Sequence, residues 1–121
     1  MVMALLAIIL ATGLAHFLTP GPNRTACDMS TSSVTCVVEY PQVPVLKAMS
    51  VTMTRTGHLS VCHGIICTNG STEHAPTLAY GRSNVVGPFR CTSAVAGVKC
   101  VVAATGRGFR LSAKGVARVG Q

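Results

Sequence analysis

From residue 24 onward the chain alternates. In Thr25-Ala26-Cys27-Asp28-Met29 and Val34-Thr35-Cys36-Val37-Val38, an apolar, sulfur-bearing or small hydroxyl residue returns at every second position. The same pattern recurs in Phe89-Arg90-Cys91-Thr92-Ser93 and Val98-Lys99-Cys100-Val101-Val102. A period of two places successive side chains on opposite faces of an extended strand. Met49–Thr54 reads likewise, with Val51 and Met53 on one side and Thr52 and Thr54 on the other. Gly57, Gly64, Gly70, Gly81, Gly87, Gly97 and Gly108 punctuate the chain at intervals of about ten residues, the rhythm of hairpins. No helical apolar stripe appears beyond the N-terminal leader, and a short C-terminal helix is the one helical element considered. The expected fold is all-β, a small disulfide-stapled sandwich or barrel.

The alternation contains an internal repeat. Cys27 through Cys36-Val37-Val38 aligns without gaps on Cys91 through Cys100-Val101-Val102. Two copies are too few for a solenoid and read as two similar hairpins. With a turn at Val95-Ala96, Cys91 opposes Cys100. Phe89, Cys91, Ser93, Val98, Cys100 and Val102 then share one face, and Arg90, Thr92 and Lys99 take the other. Setting Cys27 against Cys36 likewise turns Thr25, Met29, Val34 and Val38 inward, and Asp28 and Thr35 outward. This segregation specifies the register. Opposed cysteines on antiparallel strands come within bridging distance. Cys62 and Cys67 then remain to pair with each other. Each ten-residue loop so closed stabilises by roughly 2–3 kcal/mol. Cross-repeat pairing, such as Cys27 with Cys91, stays open on the sequence.

Composition explains why such staples are needed. The chain has 121 residues and no Trp, and its only aromatic residues are Phe17, Tyr40, Tyr80, Phe89 and Phe109. Rings normally supply much of a small core's buried area. An even set of six cysteines in so short a chain suits a disulfide framework and an oxidising compartment. The apolar run Val2–Ala15 fits a signal peptide, with cleavage expected after Gly13-Leu14-Ala15. Its continuation to Leu18 also suits an uncleaved tether over residues 2–18, at the lower limit for crossing a bilayer. A buried segment is the third reading. The expected division is a leader over residues 1–15 and one β domain over 16–121, with Thr19-Pro20-Gly21-Pro22-Asn23 as linker.

The net charge is +7, from ten Lys and Arg against Asp28, Glu39 and Glu73. Arg82, Arg90, Lys99, Arg107, Arg110, Lys114 and Arg118 lie in the C-terminal third, where no acid follows Glu73. Such segregation suits contact with an anionic envelope polymer or lipid headgroups, and also serves plain solvation. Too few rings accompany the bases to stack on nucleobases, so sequence-specific nucleic acid recognition has no basis here. His58, Cys62, His63, Cys67 and His74 cluster, but Cys-x4-Cys is not a zinc knuckle and oxidised cysteines do not ligate metal. No metal or cofactor is expected. Glu73-His74 adjacency does not make an acid–base pair. Gly106-Arg107-Gly108-Phe109 reads as a tight turn returning Phe109 to the core.

Thr77-Leu-Ala-Tyr-Gly81, Gly87-Pro-Phe-Arg-Cys-Thr-Ser93, Gly97-Val-Lys-Cys100 and Thr105-Gly-Arg-Gly-Phe-Arg-Leu-Ser112 form an ordered string. Together with Phe17-Leu-Thr-Pro-Gly-Pro-Asn23, Cys27 and Val34-Thr-Cys36, it resembles a family of small secreted, cysteine-paired proteins of actinobacteria and their phages. Members of that family carry a cysteine near the stretch that reads Val43-Pro-Val45 here, whereas this chain has Cys67. The resemblance implies export and fold class, and brings no activity, cofactor or ligand. The function expected is a non-catalytic exported domain that binds an anionic envelope component through the basic residues. The alternatives are a virion-associated assembly protein, or a small hydrolase or metal enzyme, which needs a cleft where His and acid converge. The oligomeric state is not legible.

Overall fold

The computed structural model describes residues 13–21, 24–39, 49–64 and 75–120. Among the described residues ten strands make two sheets. The first contains β1 (Leu14–Leu18), β2 (Arg24–Ser30), β3 (Ser33–Glu39), β4 (Met49–Thr54) and β5 (Leu59–His63), in that spatial order. The second contains β6 (Ser83–Val86), β7 (Phe89–Ala94), β8 (Gly97–Val102), β9 (Arg107–Ser112) and β10 (Gly115–Val119), again with each strand beside its sequence neighbour. Every pairing between strands is antiparallel. The molecule is a sandwich rather than a barrel: β1 meets β6, β2 meets β8 and β3 meets β9 across the core. No helix occurs among the described residues, and the C-terminal segment considered for one is β10.

The alternation sets the packing. Cys27 pairs with Cys36 in β2–β3, and Cys91 with Cys100 in β7–β8. Both pairs are disulfides, with Cα atoms 4.1 and 4.0 Å apart. Bridging therefore runs within each hairpin. Cys62 is also disulfide-bonded, while Cys67 lies outside the described residues. The row through the first bridge reads Phe17, Cys27, Cys36, Val51 and Val61. The row through the second reads Asn84, Cys91, Cys100, Phe109 and Arg118. Each bridge thus has one ring beside it, on β1 in one sheet and on β9 in the other. Phe17, Phe89 and Phe109 are fully buried in one cluster with the four bridged cysteines. The two bridges stack, with the Cys36 and Cys100 sulfurs 3.8 Å apart. Burying a Phe side chain stabilises by about 1.5–3 kcal/mol, so three rings and two staples anchor a core otherwise built of Val, Met and Leu.

Residues 1–12 lie outside the described set, but β1 begins at Leu14, and the expected division at 15/16 falls inside it. Phe17 and Leu18, read as the tail of the apolar leader, are core residues of the domain. The Thr19–Asn23 stretch connects β1 to β2. Segment 76–78 flanks the free edge of β1. The Leu18 amide donates to the Pro76 carbonyl at 2.9 Å, and the Leu78 amide to the Leu18 carbonyl at 2.8 Å.

The hairpin tips fix which end is which. Gly87, at φ 54°, turns β6 into β7, and a Cβ there would sit 3.2 Å from the Thr31 Cα. The Gly87-Pro88 tip therefore lies against the Thr31-Ser32 tip of β2–β3. The Val95-Ala96 tip of β7–β8 is at the opposite end of its sheet.

Candidate functional site: the outer face of the second sheet

Strand parity sorts the basic residues. Thr92, Lys99, Arg110 and Ala117 form one continuous cross-strand row facing away from the core. Lys99 is directly opposite Arg110. Two residues further back along the strands, Arg90 faces the same way in the row of Val85, Val101 and Gly108. Two residues forward lies a row of small side chains, Ala94, Gly97, Ser112 and Gly115. Lys114 sits in the turn joining β9 to β10. Like charges opposed on neighbouring strands repel and raise the local positive potential. Asp28 is the one carboxylate among the described side chains. It lies on the outer face of the other sheet, ion-paired with His16. Nothing acidic among the described side chains neutralises Lys99 or Arg110.

A groove of about 370 Å³ runs beside this row, lined by Ala94, Gly97, Lys99, Arg110, Gly115 and Ala117 among others. Its floor is low because side chains are absent there. At Gly97 a Cβ would fall 1.9 Å from the Leu111 carbonyl oxygen, so the close approach of β8 and β9 admits only glycine.

The seven expected basic residues do not share one face. Arg90, Lys99 and Arg110 do, with Lys114 at the rim. Arg107 and Arg118 pair with Val102 and Phe109, inward-facing partners, and so belong to the other side of the sheet. Both line a cleft of about 190 Å³ with Gly57 of the β4–β5 turn. Arg82 is exposed ahead of β6, at the far edge. A further cleft, about 430 Å³, opens between edge strands β5 and β10, where Leu59, Val61 and His63 face Lys114, Val116 and Arg118.

The zinc cluster weighed on sequence does not assemble from the described residues. His58 and His63 are exposed, Cys62 is in a disulfide, and Cys67 and His74 lie outside the described residues, as does Glu73. The sulfurs of Cys27, Cys36 and Cys100 lie within 4.8 Å of one another, yet each is bonded in a bridge and offers no thiolate.

Sequence reasoning passed over the β7–β8 tip. Ala94, Val95 and Ala96 are all exposed, Val95 at 74%. The signal was present in the loop itself, where both central residues, Val95 and Ala96, are apolar ahead of the closing Gly97. No family model matches the chain, and no curated protein or solved structure matches it either.

Proposed function

We propose that this chain is a non-catalytic, exported binding domain that engages an anionic component of the cell envelope through the outer face of its second sheet. The observation that carries the reading is the direct opposition of Lys99 and Arg110 on that face, beside a groove and with no acidic partner among the described side chains. Two opposed cations on a rigid ladder repel each other, and a ligand bearing phosphate or carboxylate groups relieves that repulsion. The two disulfides suit an oxidising compartment, which supports placing the domain outside the cytoplasm.

Binding to purified envelope polymers and to polyphosphate, measured in graded salt, tests this. Affinity should fall as salt rises. Lys99→Ser with Arg110→Ser should weaken it by about tenfold or more, at roughly 1 kcal/mol per cation near an anionic surface. Salt-independent binding, or binding that survives both changes, rules the reading out.

A further inference from the structure

The end of the second sheet that carries the β7–β8 and β9–β10 turns has a composition that a hydrated polymer does not explain. Its leading tip, Ala94-Val95-Ala96, is wholly apolar and exposed, and Val95 is more exposed than any other large apolar side chain described. At the equivalent tip of the first sheet stand Thr31 and Ser32, where the Ser30 hydroxyl accepts from the Ser32 and Ser33 amides. One hairpin tip is thus polar and the other apolar, with exposed Leu14 of β1 standing beside the polar one, opposite Ser30. Ala113 and Lys114 of the neighbouring turn sit at the same end.

Behind the apolar tip the charges stand in order. Lys99 and Arg110 lie one row back, two residues along their strands from Gly97 and Ser112. At the rise of a β-strand that distance is about 7 Å. Interfacial elements bury their apolar side roughly 5–10 Å into the boundary between headgroups and acyl chains, with cations remaining at phosphate level. The groove, floored by Ala94, Gly97, Gly115 and Ala117 and rimmed by Lys99 and Arg110, lies between tip and charges.

We infer that this end docks on an anionic lipid bilayer, with Val95 and its flanking alanines entering the headgroup layer and Lys99, Arg110 and Lys114 meeting lipid phosphates. The inference rests on the reading of the basic face given above and names its ligand as a membrane surface. A polyanion without apolar parts satisfies the cations and offers nothing to Val95.

The absence of Trp from the chain supplies the test. Val95→Trp places the chain's one tryptophan at the tip, and Ser32→Trp places it at the opposite end, with emission excited selectively over Tyr40 and Tyr80. Both positions are exposed, so neither change burdens the core. Each full-length variant is mixed with vesicles of phosphatidylcholine, with and without phosphatidylglycerol. The expected result is a blue shift, and quenching by a bilayer-borne quencher, for Val95→Trp with the anionic vesicles only. Ser32→Trp should show neither. Val95→Ser, followed by sedimentation with the same vesicles, should lower partitioning by about tenfold. Unshifted emission from Val95→Trp, or equal shifts at both ends, overturns the inference. If polyphosphate binding still depends on Lys99 and Arg110 in that case, the basic-face reading stands alone. Insertion that ignores Lys99→Ser with Arg110→Ser overturns the inference, and polyphosphate binding that ignores them as well overturns both.

Discussion

The two sheets place the same ladder in different surroundings. Each is a five-strand meander with a disulfide across its second and third strands, and the equivalent outer rows can be read in register. In the first sheet the row is His16, Asp28, Thr35, Thr52 and Ser60; in the second it is Ser83, Thr92, Lys99, Arg110 and Ala117. Where one sheet has the Thr35–Thr52 pair, its hydroxyls 2.9 Å apart, the other has Lys99 against Arg110. A threonine pair satisfies itself, whereas a cation pair is left needing an anion. The matching backbone pairing of the two rows lets the outward side chains be compared position by position.

The inner faces are matched but not identical, and the sharpest test of that match is the pair of rings. Phe17→Ala and Phe109→Ala should each destabilise by about 3–5 kcal/mol in chemical denaturation with bridges intact. A loss below about 1 kcal/mol for either would show that one sheet carries the core. Next come the staples. The bridges enclose equal spans, both with sequence separation 9, so removing either pair (Cys27→Ala with Cys36→Ala, or Cys91→Ala with Cys100→Ala) should cost about 2–3 kcal/mol, the two alike. Unequal losses would mean that the sheets differ in how much structure their unfolded halves retain. The smallest effect is the most telling for function. Lys99→Thr with Arg110→Thr gives the second row the threonine pair of the first and should raise stability by roughly 0.2–1 kcal/mol while weakening anion binding by about tenfold or more. A double variant that is less stable than the parent would show that the two cations are not in conflict.

Much of this was legible beforehand. Cysteine spacing and two-residue alternation gave both hairpins, their registers and the outward direction of Arg90 and Lys99. The repeat foretold that the halves would look alike. What failed to show was set by connections rather than by strands. The four-residue turn Ala103–Gly106 and the two-residue turn at Ala113-Lys114 determine which parity β9 and β10 present. This is why Arg107 and Arg118 left the face to which their charge seemed to assign them. β1 was hidden because the apolar run from Val2 continues without a break into the strand, so Phe17 reads equally well as part of a leader or of a strand. The β7–β8 tip was placed correctly as a turn, but its hydrophobicity became meaningful only beside the serine-rich tip of its counterpart.

Both described bridges close hairpins, and neither crosses from one sheet to the other. Among the described residues the layers meet through the shared core of side chains, and at its margin through the hydrogen bonds of segment 76–78 and Tyr80 to the β1 end. Under a tensile load that separated them, no covalent bond between these four cysteines would take up the force. Each half would peel away with its own hairpin still tied, and could find its register again once the load was released.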